Sequence, residues 1–308
     1  MSGFLFLVIE TSLALQYSKL LAVKTSLEHL PEHKQAQLKE ITEIIVGAVD
    51  PEKVILFGSH ATGRWVEDRF TEGHITYEYV SDYDLLVITK ADEKRKDYEI
   101  QDIIENRCRY KTPVNAITHN IGYINKHLSE GQYFFSDIEK EGIMLYDAGN
   151  VPLAERRQLN PSEAKALAQA DYDKWFISAV NFLGMSVYAK QNGTLKESAF
   201  VLHQAAERTY HAIILVFTGY KPKTHNLDKL IRYTKRYSVE LAGVFPRNSE
   251  LEAHLFDLLL KGYIDARYKD DYVITTDELT RLIERVRKLQ AIAERICKEK
   301  IASFNMLE

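Results

Sequence analysis

The sequence predicts an α+β domain with a small mixed sheet, followed by an all-α helical bundle. Before residue 150, short β-rich runs alternate with helical stretches, which favours a mixed sheet packed against helices. After about residue 160 the apolar periodicity is helical to the end of the chain. The 308 residues, of which 45% are hydrophobic and 27% charged, are enough for two globular domains that each bury a core.

Three apolar runs in the first half predict buried strands with helices between them. The strand candidates are KVILF at 53–57, DLLVIT at 84–89 and PVNAIT at 113–118, and the helix candidates are 33–49 and 94–107. The alternating stretch HITYEY predicts an inserted strand or hairpin within 65–80. In this insertion Trp65, Tyr77 and Tyr79 are expected to pack against the sheet rather than to stack on a base.

The predicted boundaries follow these changes in pattern. They are an N-terminal extension at 1–29, a first domain at 30–150, a linker at 151–160 and a helical domain at 161–308. The apolar run of the extension is broken by Glu10 and lacks a basic segment, so neither a signal peptide nor a membrane span is expected. Asn160 and Pro161 predict the start of a helix. The helices of the bundle are expected at 161–191, 195–218, 226–237, 249–266 and 275–301.

Charge and cysteine content exclude some classes of protein. The net charge of −4 argues against a generic polyanion binder, so any nucleic-acid contact requires a local basic patch. Cys108 and Cys297 lie far apart, outside any C-x-x-C or Cys/His cluster, which argues against structural zinc and against disulfides. Such cysteine usage is typical of the reducing cytoplasm.

Two short motifs in the first half carry chemistry. GSHATGR at 58–64 directly follows the first predicted strand, and SDYDLLV begins at residue 81. Gly58 lets the backbone approach a triphosphate closely, and Ser59 offers a hydroxyl and an N–H at the start of a helix. Asp82 and Asp84 are two residues apart, so on a strand both carboxylates leave the same face and can hold Mg²⁺.

Together these motifs resemble the signature of the minimal, polymerase-beta-like nucleotidyltransferases. The segment EKEGIMLYD at 139–147 also resembles the end of that domain. The resemblance implies a nucleotidyltransferase fold that binds Mg²⁺ with ATP or another nucleoside triphosphate. It implies metal binding and catalysis by Asp82 and Asp84, and phosphate contacts from Gly58, Ser59, Gly63 and Arg64.

The chain departs from this family at two positions. Active members carry a third carboxylate on the next strand, where this sequence has Asn115. Asparagine is a neutral ligand and cannot act as a general base, so the departure implies nucleotide binding with weakened or lost transfer. His60 stands where many relatives carry arginine, which weakens phosphate contacts unless Arg64 compensates.

The second half resembles the HEPN family. The resemblance covers about residues 163–300 and is carried by 199–230, with its loop GYKPKTHNL, and by KGYIDARYKDDY at 261–272. His225 in the loop is expected to brace it rather than to catalyse.

Ribonuclease members of the HEPN family carry Arg, four to six residues, and then His. At the aligned place Arg267 is followed by Tyr272 where His is expected. Arg247 and His254 match by spacing alone.

The two resemblances imply a Mg²⁺-dependent nucleotide-binding protein of the nucleotidyltransferase and HEPN type. It transfers, or formerly transferred, a nucleoside monophosphate, in a toxin–antitoxin, stress or defence context. The alternatives are a non-catalytic nucleotide- or RNA-binding regulatory module, a small-molecule transferase of the aminoglycoside-modifying kind, and a HEPN ribonuclease. The implied partners are a nucleoside triphosphate, an RNA or protein acceptor, and a second copy of the chain bound through the helical domain, with no membrane partner.

Overall fold

A computed structural model describes residues 23–65, 67–72, 75–109 and 113–307, with side chains outside 66–80 and 306–308. The side chains of Tyr77 and Tyr79 and most of the predicted N-terminal extension therefore lie outside the described residues. The chain divides into two compact units, one ending at Gln158 and the other beginning at Leu159. In the described part of the chain, no helix is long and apolar enough to cross a membrane.

The first unit is an α+β domain around a mixed sheet. Its elements are α1 (Glu32–Val49), β1 (Lys53–Phe57), α2 (Gly58–Thr62), β2 (Glu67–Glu72), β3 (Ile75–Val80), β4 (Tyr83–Thr89), α3 (Asp97–Cys108), β5 (Val114–Asn120), α4 (Ile121–Ser129), α5 (Tyr133–Glu141) and β6 (Ile143–Asp147). Among the described strands, four form a sheet in the order β5-β4-β1-β6, and β2 and β3 form a separate hairpin. β4 and β5 are parallel, whereas β1 is antiparallel to both of its neighbours, which confirms the predicted mixed sheet.

Apolar spacing determines how these elements pack. All five residues of β1 are buried, as expected for a central strand. Leu38, Ile41 and Ile45 recur along α1 at helical spacing and are fully buried in the core of this unit. Gly142 stands just before β6, where a Cβ atom would lie 2.3 Å from the Ile138 carbonyl oxygen and 2.8 Å from Ile55 Cγ2. This close approach explains why the turn into β6 contains glycine.

Both ends of the first unit are tied to it by backbone contacts. Lys24 forms an isolated parallel bridge with Ile143, so ordered contacts begin within the predicted extension. In the predicted linker, the Ala154 N–H donates to Asn125 Oδ1 at 2.8 Å, and the Arg157 N–H donates to the Leu128 carbonyl at 2.9 Å. This part of the linker is therefore held against the first unit.

The second unit is helical. Its elements are α6 (Pro161–Gln191), α7 (Leu195–Thr218), α8 (Leu227–Thr234), α9 (Val239–Ala242), α10 (Glu250–Lys261), α11 (Asp265–Tyr268), α12 (Thr276–Ser303) and a 3₁₀ turn (Phe304–Leu307). α7 packs against both α6 and α12. The predicted helix at 249–266 is divided at Gly262, where a Cβ atom would lie 3.0 Å from the Ala199 carbonyl oxygen of α7. The bounds predicted for α6 and α7 are confirmed.

Candidate functional site

The strand register of the first unit brings the predicted site residues side by side. Asp84 on β4 pairs with Phe57, the last residue of β1, and with Asn115 on β5. Gly58 follows Phe57 directly, and Asp82 lies just before β4 begins. The glycine–serine motif, the aspartates and the expected third-carboxylate position therefore meet at one edge of the sheet.

Asn115 contacts Asp84 directly through its side chain. Its Nδ2 donates to Asp84 Oδ1 at 2.8 Å, and Asn115 is only 2% exposed. A carboxylate at this position would place a second negative charge beside Asp84, whereas the amide supplies a donor. Residue 115 thus gives the Asp84 carboxylate a hydrogen-bond donor and no general base.

The glycine–serine loop turns sharply after β1. Gly58 and Gly63 have φ angles of 73° and 75°, in the left-handed region that favours glycine. The Arg64 N–H donates to the Ser59 carbonyl at 2.9 Å, which closes the turn. Ser59 is half-buried and the Arg64 side chain is exposed, so both lie where a ligand can reach them.

His60 points into the core instead of towards solvent. Its ring is 1% exposed and stacks nearly parallel to Trp65, with ring centres 5.9 Å apart. Its Nδ1 donates to the Asp82 carbonyl at 3.2 Å. Trp65 also packs against the Lys34 ammonium, which lies 4.6 Å from the ring centre, so Trp65 contributes to the core.

Asp82 and Asp84 provide some, but not all, of the ligands that a hard cation such as Mg²⁺ requires. Within the described residues, no group of three or more His, Cys, Asp or Glu side chains is arranged to hold a metal ion. Asp82 and Asp84 supply two carboxylates, and Mg²⁺ commonly takes one or two carboxylates with its remaining ligands from water and substrate phosphates. The pair therefore fits a Mg²⁺ ion that arrives with a phosphate ligand better than a resident metal.

In the second unit, the two residues aligned with the ribonuclease motif have structural contacts. The Arg267 guanidinium lies over the rings of Phe200, Tyr263 and Tyr268, at 4.7, 5.0 and 4.9 Å from their centres. The buried Tyr272 hydroxyl donates to the Leu258 carbonyl at 3.0 Å, and burial raises the pKa of Tyr272. A buried phenol of raised pKa is a poor acid or base at neutral pH.

The residues matched by spacing alone contact two different helices. Arg247 forms an ion pair with Asp228 on α8 and lies 4.1 Å from the centre of the Phe256 ring. His254 Nε2 donates to Glu278 Oε1 on α12 at 2.8 Å. Each side chain thus has a local partner that explains its position.

A polar cluster that the sequence motifs do not predict lies on α7. We call it the Glu207 cluster: Glu207, His203 and His211 on α7, with His225 from the following loop. The three α7 residues are four apart, so they share one helix face. His225 Nδ1 donates to Glu207 Oε1 at 3.0 Å, while the Nδ1 atoms of His203 and His211 each lie 3.8 Å from a Glu207 oxygen. The H-x₃-E-x₃-H spacing is the signal that could have indicated it.

Burial keeps the two α7 histidines neutral. It lowers the pKa of His203 to about 3, with smaller contributions from the charges of His225 and Arg267. It likewise lowers the pKa of His211 to about 3, with the Lys221 charge as the next cause. A hydrogen bond to the Pro222 backbone opposes this effect at His211. The buried Glu207 carboxylate accepts hydrogen bonds from His225 Nδ1 at 3.0 Å and from Gln204 Nε2 at 3.3 Å.

Two cations share one aromatic ring beside this cluster. The Arg208 guanidinium and the Lys221 ammonium lie 5.2 and 5.1 Å from the centre of the Trp175 ring. Burial lowers the pKa of Lys221; Glu207 opposes this effect and the charge of Arg208 adds to it. The buried Nε of Arg208 has no hydrogen-bond partner among the described residues. Two half-buried cations around one ring make the surroundings of Trp175 positively charged.

Comparison with known proteins identifies the second unit. Residues 172–296 match the HEPN domain family, and the match includes the Glu207 cluster. The chain therefore contains a HEPN domain, as predicted. No curated protein matches the sequence significantly. The likeness of the first unit to nucleotidyltransferases remains a resemblance of motifs.

Proposed function

We propose that the first unit is a nucleotidyltransferase-type domain that binds a Mg²⁺–nucleoside triphosphate at Asp82 and Asp84. The observation that carries this proposal is the register that pairs Asp84 with both Phe57 and Asn115. It brings two carboxylates next to a glycine–serine turn, as binding of a metal-bound triphosphate requires. Ser59 and Arg64 are the polar groups available to the phosphates.

Asn115 limits what this site can catalyse. When bound, Mg²⁺ would offset the charge that develops on the phosphates during an in-line displacement. Asn115 holds Asp84 through its amide and cannot accept a proton from an attacking hydroxyl. The domain therefore binds nucleotide and transfers it slowly, or binds it without transfer.

The binding experiment uses the full chain and each of the four nucleoside triphosphates, with and without Mg²⁺. Calorimetry should detect Mg²⁺-dependent binding that weakens at least about tenfold in Asp82→Asn and in Asp84→Asn. Asp92→Asn, an exposed acid in the same unit, is the matched control. Equal affinity in wild type and Asp82→Asn would show that the carboxylates are not the site.

The acceptor and the biological setting are part of the same proposal. Nucleotidyltransferase and HEPN domains resemble cognate toxin–antitoxin pairs, so the HEPN unit or an RNA is the proposed acceptor, in the cytoplasm. Fusion in one chain raises the effective concentration of one unit for the other. Intact mass after incubation with each nucleotide measures self-modification by one nucleoside monophosphate.

The Glu207 cluster favours a second candidate function, binding of a phosphate group by the HEPN domain. Glu207 accepts the Nδ1 proton of His225, which leaves His225 Nε2 as the basic nitrogen of a side chain that is 59% exposed. Arg208 and Lys221 supply positive charge nearby, and Trp175 supplies a ring face. This combination suits a nucleotide or an RNA phosphate.

This second function is tested in the Asp82→Asn protein, where the first site is disabled. Phosphate, AMP and a short single-stranded RNA are titrated separately, so that the source of the phosphate group is identified. Lys221→Met should abolish binding, whereas Arg247→Met, which removes a cation already paired with Asp228, should not. Equal losses in both variants would point to non-specific attraction.

A further inference from the structure

We infer that His60 is a positioning residue that couples the glycine–serine loop to the Asp82–Asp84 segment. The inference rests on the proposed function of the first unit, in which His60 has no assigned role. Its basis is one juxtaposition: the buried imidazole of α2 donates to the backbone carbonyl of Asp82, 22 residues further along the chain.

The direction of this hydrogen bond follows from its chemistry. A carbonyl oxygen only accepts, so His60 Nδ1 carries the proton and donates across 3.2 Å. Both the neutral Nδ1–H form and the imidazolium can make this bond. The contact therefore depends on the presence of a donor at this place and does not depend on the charge of the ring.

The His60 ring is held on several sides. It lies 4.4 Å from the Tyr83 ring and stacks on Trp65 with an interplanar angle of 3°. The His60 backbone is fixed as well, because His29 Nε2 donates to its carbonyl at 2.7 Å. A donor held this firmly can determine the position of the carbonyl that it contacts.

Asp82 precedes β4 and lies outside the strand ladder, so the hydrogen bonds of the sheet do not fix its backbone. The neighbouring Tyr83 is anchored twice: its N–H donates to the Pro113 carbonyl at 2.9 Å, and its hydroxyl donates to Gln37 Oε1 at 2.9 Å. His60 adds an anchor on the Asp82 side of the same peptide. Three elements, α1, α2 and the start of β5, thus fix the backbone that carries the first carboxylate.

The buried position of His60 gives residue 60 a role that differs from the phosphate contact implied by the family resemblance. In place of an arginine that faces phosphate, the chain has a histidine that is 1% exposed and cannot reach a ligand in solvent. Its contribution is instead to the orientation of Asp82. The coupling also means that a displacement of the glycine–serine loop is transmitted to the metal-binding segment.

The test compares His60→Asn, which keeps an amide donor near the Nδ1 position, with His60→Leu, which keeps bulk and removes the donor. Thr42→Val is the matched control, since it removes a partly buried hydrogen bond within α1 of the same unit, from Thr42 Oγ1 to the Leu38 carbonyl, and none to the Asp82 segment. We expect His60→Leu to raise the Mg²⁺ concentration for half-maximal nucleotide binding about tenfold, and His60→Asn to restore it to within about threefold. Thr42→Val should leave it near the wild-type value.

Amide hydrogen exchange at residues 81–84 provides a readout that needs no ligand. His60→Leu should speed exchange about tenfold and His60→Asn should not, because a lost buried hydrogen bond frees the segment. Equal behaviour of the Asn and Leu variants in both measurements would overturn the positioning role. If the wild-type chain binds no Mg²⁺–nucleotide, the proposed function fails and hydrogen exchange alone decides the role of His60.

Discussion

Asn115 donates a hydrogen bond to Asp84 Oδ1 at 2.8 Å, between paired residues of two parallel strands. The contact places an amide where a third carboxylate is expected in active nucleotidyltransferases. Under the proposed function, Asp82 and Asp84 remain as the two carboxylates for a metal-bound nucleotide, and residue 115 lacks the group best suited to accept a proton.

Asn115→Asp should therefore increase both the Mg²⁺ response and nucleotidyl transfer. General-base assistance is worth about 10²–10⁴-fold in rate. Without metal, the added carboxylate repels Asp84, so the apo melting temperature should fall, and Mg²⁺ should raise it more than in wild type. Differential scanning calorimetry and intact mass measure the two effects.

Asn115→Ala is the control, because it removes the amide without adding charge. It should show neither the larger Mg²⁺ response nor faster transfer. If Asn115→Asp behaves like Asn115→Ala, residue 115 is not the third-carboxylate position, and the proposal of a weakened transferase loses its main support.

Gly142→Ala should destabilise the first unit by about 2 kcal/mol or more, since its Cβ would overlap the Ile138 carbonyl oxygen. Gly47→Ala is the matched control: it lies within α1, and a Cβ there meets nothing within 4 Å. Alanine at residue 47 should stabilise the helix by up to about 1 kcal/mol. Urea unfolding followed by Trp65 fluorescence in a Trp175→Phe background reports on this unit. Opposite signs for the two substitutions are expected, and a neutral Gly142→Ala would contradict the close packing.

A homodimer through α6 is expected because this helix is apolar on two faces. One face is buried within the bundle, while Ile177 and Tyr188 on the outside are 55% and 69% exposed. A solvent-facing apolar stripe of this kind favours an isologous helix pair. Ile177→Glu should convert a dimer at micromolar concentration to a monomer in light scattering. Lys288→Glu, at an exposed position on α12, should remain a dimer. A monomeric wild-type chain would exclude this interface.

Short-range signals explain which parts of the fold are predictable. α6 begins where expected because Asn160 and Glu163 form a capping box, and α7 ends at Gly219, whose φ of 66° favours glycine. These helix boundaries depend on residues close in sequence or on simple periodicity. The position of Asn115 beside Asp84, 31 residues earlier in the chain, is expected only from the resemblance to nucleotidyltransferases, because periodicity alone does not determine strand order or register.

Long-range contacts explain what the sequence does not predict. The role of His60 requires Asp82, 22 residues away, and the Glu207 cluster requires His225 from a loop. The division of the helix at Gly262 depends on the backbone of Ala199 in another helix. Helical periodicity contains no information about such partners, so these sites emerge only from the tertiary structure.

The buried histidines of the Glu207 cluster should make the HEPN domain sensitive to acid. The pKa of His203 and of His211 is about 3 in the folded chain, against 6.5 for an ordinary histidine. Between these values the unfolded chain binds protons that the folded chain does not, so stability should fall as pH falls below about 6.5. The expected loss is about 2 kcal/mol per histidine between pH 7 and pH 5.

Urea unfolding followed by Trp175 fluorescence in a Trp65→Phe background isolates this unit, because the chain has two tryptophans. His203→Gln should reduce the slope of stability against pH by about half, since one of the two responsible groups is removed. His254→Gln, which removes an exposed histidine of the same unit, should leave the slope near its wild-type value. A wild-type stability that stays constant between pH 7 and pH 5 would show that these histidines are protonated inside the fold. Glu207 would then face two buried imidazolium rings in addition to its hydrogen bonds from His225 and Gln204.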